Sequence, residues 1–276
     1  MASQAQNIYD DPGFFSAYST LPRSQGGLES APEWPVLEAM ITKVLTQQPG
    51  HEAKDDKRLT GQSVLDLGCG YGWFSRWARS RGASKIRATD ISTKMIERAK
   101  EFERIRDNNQ CDIMFERANL EELTFGHGDD RGTYDLVYSS LTFHYIEDLS
   151  RLLGEIRAAL KQGGNLVFSV EHPICSAPII PGPDWKTLQE GDAEHKVWPL
   201  NSYSEEGWRY TSWLGVKGVK KYHRTVETYV SLLLENGFVL TGLKDWVPST
   251  ESVSEHPEWA QERHRPYFLL ISAKTL

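Results

Sequence analysis

The stretch Val64-Leu65-Asp66-Leu67-Gly68-Cys69-Gly70-Tyr71-Gly72 is an apolar run that closes on an acid and passes into Gly-x-Gly-x-Gly. Gly68 permits a tight turn at the end of a strand, and Gly70 lets a ligand approach the backbone where a Cβ would collide. The next apolar run ends Ala88-Thr89-Asp90-Ile91, and a carboxylate there can accept both hydroxyls of a ribose. A nucleotide-like ligand is the chemistry this spacing describes. Two ligand classes share it. A nicotinamide dinucleotide fingerprint, Gly-x-Gly-x-x-Gly, needs its third glycine at the position held by Trp73, whereas the third glycine is Gly72. Asp66 beside the loop would also repel a pyrophosphate, and it suits a ligand that carries a cationic amino group. A nicotinamide oxidoreductase is therefore the weaker reading.

To hold a loop and an acid side by side, the chain needs neighbouring parallel strands. Short apolar runs at Ser63–Leu67, Ile86–Thr89, Ile113–Arg117, Leu136–Ser139 and Leu166–Val170 are mostly separated by amphipathic stretches near 75–80, 93–106 and 148–160. That alternation predicts a parallel sheet with helices on both faces. Ahead of it lie an aromatic cluster (Tyr9, Phe14, Phe15, Tyr18), a helical pattern from Trp34 to Leu45, and a polar linker from Gln48 to Thr60. Between Ala177 and Lys221 the rhythm breaks into a Pro- and Gly-containing segment with Trp185, Trp198, Trp208 and Trp213, too aromatic for a plain connector and read as a lid. A helix over Thr225–Glu235 and strands over Val239–Trp246 and Tyr267–Ala273 follow.

Composition narrows the partners. With 276 residues, 39% hydrophobic and 25% charged, the chain is globular and needs no covalent staple. Its formal charge of −7 would repel a phosphate backbone, and the densest basic stretch, Lys217–Arg224, reads as a solvated loop edge. Nucleic acid is thus not an expected partner. Cys69, Cys111 and Cys175 make no CxxC pair, no apolar run is long enough to span a membrane, and the first residues lack a signal-peptide pattern, so the expectation is a cytoplasmic protein without a structural metal.

The segment Val64–Gly72, then Asp90, then Ala118-Asn119-Leu120, then Tyr134-Asp135-Leu136-Val137-Tyr138-Ser139, then Leu160-Lys161-Gln162-Gly163-Gly164 resembles, in order and spacing, the class I S-adenosylmethionine-dependent methyltransferases over residues 63–171. The resemblance implies a Rossmann-like, seven-stranded α/β fold with an antiparallel last strand, and S-adenosyl-L-methionine as cofactor. It implies that Asp66, Gly68, Gly70 and Gly72 lie along the amino-carboxypropyl part, that Asp90 with Ile91 holds the ribose, and that Met95 packs on the adenine. Asn119 and the Leu120 amide would meet the adenine edge, with Ser139 close by. The family usually has an acid where this chain has Asn119, whose carbonyl oxygen still accepts without charge assistance. The methyltransferase domain then spans 61–276 with its lid at 177–221, after an N-terminal cap and linker over 1–60.

Methyl transfer from a sulfonium needs proximity and alignment, plus a base when the nucleophile must lose a proton. His144 and His172, both at the carboxyl ends of predicted strands, are the candidate bases, and each also reads as a structural histidine. Arg23 could reach the cofactor carboxylate as a fork donor if the N-terminal segment folds over the site. Tyr9 and Tyr18 would close that lid, and Trp185, Trp208 and His223 are candidates for the substrate wall, although aromatic burial alone or a helix-flanking role would explain them too. Ser139-Ser140-Leu141-Thr142 replaces the Asn/Asp-Pro-Pro-aromatic motif of enzymes acting on nucleic-acid or glutamine amide nitrogens, which argues against those acceptors. The expected substrate is a small, fairly apolar molecule. A weaker similarity, through the lid and the Trp73/Trp77 helix, to the fungal gliotoxin bis-thiomethyltransferase group points to a thiol acceptor. O- or N-methylation and a non-catalytic S-adenosylmethionine-binding protein are the alternatives.

Overall fold

The computed structural model describes residues 5–46, 58–103, 112–125 and 130–276. Most of the predicted linker, and Cys111, lie outside them. Three helices open the chain, α1 (Pro12–Ser19), α2 (Pro22–Gly26) and α3 (Trp34–Thr46). Then β1 (Ser63–Leu67), α4 (Trp73–Ser80), β2 (Lys85–Asp90), α5 (Thr93–Glu103), β3 (Ile113–Arg117), β4 (Tyr134–Ser140), α6 (Leu149–Ala159) and β5 (Leu160–Glu171) alternate. After α7 (Pro173–Ser176) come β6 (Lys186–Glu190), β7 (Ala193–Val197), β8 (Gly207–Trp213) and β9 (Val216–His223). Helix α8 (Val226–Glu235), β10 (Phe238–Asp245), α9 (Thr250–Glu255) and β11 (Phe268–Thr275) complete the fold.

The main sheet has seven strands in the order β10-β11-β5-β4-β1-β2-β3. Only β11 runs antiparallel to its neighbours, as the Rossmann-like class I order implies. Alternation along β1 builds the two faces: Leu65 and Leu67 enter one core with Leu152, Ile156, Tyr229 and Leu233 of α6 and α8. Val64 enters the other with Trp34, Leu37, Ile41 and Val44 of α3 and Phe74 and Ala78 of α4. Each fully buried aliphatic or Phe side chain of this kind contributes about 1.5–3 kcal/mol. Helix α3, grouped with the cap by its sequence position, is therefore a full member of one helical layer.

The strand order places the ligand cleft. β1 and β4 lie at the centre, so the carboxyl ends of β2 on one side and β5 on the other face each other across the glycine loop. The segment after α7 is not irregular. It forms two antiparallel hairpins, β6–β7 and β8–β9, and the second runs to His223, past the predicted end of the lid. The polar β6–β7 pair is almost wholly exposed, which is why no apolar alternation announced it.

Candidate active site

Two adjoining cavities of about 230 and 100 Å³ open at the carboxyl ends of the strands, and both are lined by Gly68 and Gly70. Gly68 has φ +75°, and a Cβ there would fall about 2.1 Å from the Thr142 hydroxyl, so only glycine lets the loop after β4 close on it. A Cβ on Gly70 would meet nothing within 4 Å, because that side of the backbone faces open space. The Gly70 amide donates to Asp90 Oδ2 at 2.9 Å and the Ser92 amide to Oδ1 at 2.9 Å, which orients the carboxylate. Burial pushes Asp90 up to about 6, against those two hydrogen bonds. Ile91, Met95, Asn119 and Leu120 line the larger cavity on the same side.

The smaller cavity collects opposite charges. Asp66, 2% exposed, accepts from Ser75 Oγ at 2.6 Å and is pushed up to about 7 by burial. Arg23 comes from α2 and is held by both oxygens of the buried Glu33, at 2.8 and 2.9 Å. Burial opposes its charge, but the Glu33 carboxylate outweighs it. A buried carboxylate and a guanidinium sharing one cavity match the ammonium and carboxylate of an amino-acid tail. The tail of S-adenosylmethionine fits this pair, and its nucleoside fits the Asp90–Met95–Leu120 wall.

The N-terminal segment does fold over the cleft. Asp10 accepts from Ser92 Oγ at 2.6 Å and from the Lys94 amide at 3.0 Å, capping α5 beside Asp90. Burial would raise its pKa, and these hydrogen bonds lower it overall. Gln6 Oε1 accepts the Lys220 amide at 2.7 Å, tying the same segment to β9. Tyr9, Phe14 and Tyr18 pack edge-on or stacked with one another and with Trp213 at centroid distances of 5.1–6.5 Å. Tyr9, Tyr18 and Trp213 all line the larger cavity.

Several expected residues stand elsewhere. Gly72 lines neither cavity. Its φ of +73° and a Cβ position 2.6 Å from the Phe115 ring make it a packing glycine under the loop. Ser139 is buried with its hydroxyl donating to the Leu67 carbonyl at 2.7 Å, and Ser140 faces the cavities in its place. Trp185 packs on Trp198 and Arg265, while Trp208 packs on Tyr222 and donates to Glu147 at 3.2 Å, so neither meets the cleft. His223 is buried between Ser176 Oγ at 2.8 Å and the Tyr203 carbonyl at 2.9 Å. His172 caps α7, its Nδ1 accepting the Ile174 amide at 3.1 Å and its Nε2 facing Asp245 at 3.0 Å, outside both cavities.

His144 alone of the three candidate histidines lines the cleft. Its Nδ1 accepts the Glu171 amide at 3.2 Å, and burial, reinforced by Lys221 and Arg224, pushes its pKa well below the ordinary histidine value. The ring is therefore neutral with its proton on Nε2, a donor whose one lone pair is already engaged. Sequence reasoning missed Trp213, Tyr267, Glu171 and Lys221, which also line this cavity. Among the described residues no group of three or more His, Cys, Asp or Glu side chains could hold a metal ion, and no helix is long and apolar enough to cross a membrane.

Residues 65–168 match the model of a methyltransferase domain. The chain is 40% identical to an S-adenosylmethionine-dependent methyltransferase from Mesorhizobium loti of known structure, covering 90% of this chain and 100% of that one at a TM-score of 0.74. It is 30% identical over 275 residues to an uncharacterized protein of Haemophilus influenzae, covering 97% of this chain and 96% of the relative. A malonyl-[acyl-carrier protein] O-methyltransferase of Erwinia billingiae is 33% identical over 112 residues, which is 41% of this chain and 40% of that protein. Matched in sequence along its length and in fold to such an enzyme, with a cleft that fits the cofactor's tail and nucleoside, the chain belongs to the S-adenosylmethionine-dependent methyltransferases.

Proposed function

We propose that the protein methylates a small, fairly apolar molecule whose nucleophile ionises readily, with a thiol as the first choice. S-adenosylmethionine supplies an electrophilic methyl group on a sulfonium when bound. Asp66, Arg23, Asp90 and the glycine loop hold its two ends, while the Tyr9–Tyr18–Trp213 lid excludes water and shapes an acceptor space with aromatic walls. The observation that carries the reading is the state of His144. A neutral imidazole whose free lone pair already accepts a backbone amide is a poor general base, and the Glu171 carboxylate of the same cavity is held in an ion pair with Lys221, so the enzyme's contribution is alignment. A thiol near pKa 8.5 is partly thiolate at pH 8 and needs little more than that. The match to the malonyl-[acyl-carrier protein] O-methyltransferase covers 41% of the chain, too little to carry its acceptor across.

The test is turnover of S-adenosylmethionine to S-adenosylhomocysteine with a panel of small aromatic thiols, phenols and amines. Thiols should turn over fastest, each methylated product gaining one methylene in mass. Faster turnover of phenols or amines would favour O- or N-methylation. Cofactor binding without turnover by any class would favour the non-catalytic alternative.

A further inference from the structure

Glu171 closes β5 on the side of the glycine loop opposite Asp90, and Lys221 descends onto it from β9 of the lid. Lys221 Nζ lies 2.6 Å from Glu171 Oε2, and each side chain is 12% exposed. Both line the larger cavity, among Tyr9, Tyr145, Trp213 and Tyr267. Burial works against the ammonium, but Glu171 outweighs it and holds Lys221 above its ordinary pKa. The pair does not complete its own hydrogen bonding. An ammonium has three donors and a carboxylate two oxygens, and among the described residues the one hydrogen bond between their side chains uses a single donor and Oε2. Taking two charges out of water costs more than their attraction returns unless further polar groups satisfy them. Around this pair the wall is aromatic, with Lys221 Nζ 5.9 Å from the centre of the Trp213 ring, and such a setting suits a ligand that is apolar over most of its surface and polar at one atom.

We propose that Glu171 and Lys221 form the head-group subsite for the methyl acceptor, and that it takes an acidic X–H group on an apolar body. The X–H donates to Glu171 while a lone pair on X accepts from the Lys221 ammonium, so one atom satisfies both charges. Because Glu171 belongs to the sheet and Lys221 to the lid, the acceptor head also bridges the two parts that enclose it. The inference rests on the methyl-transfer reading and names the residues that recognise the acceptor in it. A molecule of the same shape without the X–H group leaves both charges half-satisfied, and sites that hydrogen-bond a ligand group reject analogues lacking it strongly.

The experiment titrates the protein, saturated with S-adenosylhomocysteine, at about pH 6 with thiophenol, phenol and toluene, and with benzoate, which is ionised there and has no X–H to donate, by calorimetry. Thiophenol or phenol should bind about tenfold or more tightly than toluene and benzoate. Which of them does so separates a thiol from a phenol. The double variant Glu171→Gln/Lys221→Met removes both charges together and avoids an unpaired buried one. It should keep S-adenosylhomocysteine affinity within about threefold and lose the preference for the acid. Should that variant fail to fold, Glu171→Asp retains both charges and withdraws the carboxylate by one methylene, and it should weaken the preference at least several-fold. Equal binding of all four probes, no binding by any at millimolar concentration, or a preference that survives the substitutions would overturn the proposal. Failure of the unmodified protein to bind S-adenosylhomocysteine counts against methyl transfer itself. Binding of it without acid preference counts against the subsite alone.

Discussion

Asp66→Asn should make the ligand-free protein more stable at pH 8 and worse at holding its cofactor. Asp66 is 2% exposed, Ser75 is its side-chain hydrogen-bond donor, and burial raises it from 3.8 to about 7. At about 1.36 kcal/mol per pH unit, this is up to about 4 kcal/mol between its two protonation states. The folded pKa lies above the unfolded one. The stability associated with the protonated form is therefore fully present below pH 4 and lost as pH rises toward 7. Asparagine never ionises, so the variant should denature at a higher temperature than the unmodified protein at pH 8 and at nearly the same temperature at pH 4. Cofactor binding has the opposite sign, because the ammonium needs the ionised carboxylate. With a pKa of about 7, affinity should fall about tenfold between pH 8 and pH 6 in the unmodified protein. In the variant it should be weaker throughout and nearly flat over that range, with Asp90, raised to about 6, causing a residual fall below pH 6 in both proteins. Thermal denaturation and calorimetric titration with S-adenosylmethionine across this range read both effects. A stability difference independent of pH, or an unchanged pH slope of binding in the variant, would refute the assignment of Asp66 to the ammonium.

Other perturbations separate residues that the sequence treats alike. His144→Ala should lower kcat by less than the roughly 100-fold typical of general-base removal, with cofactor affinity intact; a loss of about 1,000-fold would shift the mechanism to base catalysis on oxygen. His172→Ala should act on stability by about 1–3 kcal/mol, read by denaturant unfolding, because it removes the cap of α7 and the Asp245 contact. Gly72→Ala, whose Cβ meets the Phe115 ring, should destabilise the fold, whereas Gly70→Ala, whose Cβ points into open space, should chiefly weaken cofactor binding in calorimetry. Asp10→Ala removes the acceptor of the Ser92 and Lys94 donors and should cost about 0.5–2 kcal/mol at the start of α5. It should also speed proteolysis of the N-terminal segment and weaken its protection by S-adenosylhomocysteine.

The glycine-loop side of the cleft was legible because it is local. Asp66, Gly68 and Gly70 sit on one turn, and Asp90 ends the next strand, so apolar runs and glycine spacing place them together without tertiary knowledge. The same locality does not place Gly72 and Ser139, because turn sequence does not reveal which side of the backbone faces the cavities. The side that we assign to the acceptor was not legible. Glu171 and Lys221 are fifty residues apart and meet only because the β8–β9 hairpin folds back over the sheet. His172 looked like a strand-end base, but Asp245 on a distant strand and the turn of α7 use both its nitrogens. Of the four tryptophans between Ala177 and Lys221 only Trp213 lines the cleft: Trp208 shares β8 with it but faces Tyr222, and Trp185 and Trp198 lie outside the strands and pack on each other.

The most direct test is a crystal structure with S-adenosylhomocysteine bound. The amino-acid tail should lie between Arg23 and Asp66, the ribose hydroxyls on Asp90, the adenine against Met95 and Leu120, and the sulfur should face the space bounded by Glu171, Lys221 and Trp213. A ligand seated in another cavity, reversed in this one, or with its sulfur turned away from that space would contradict this placement.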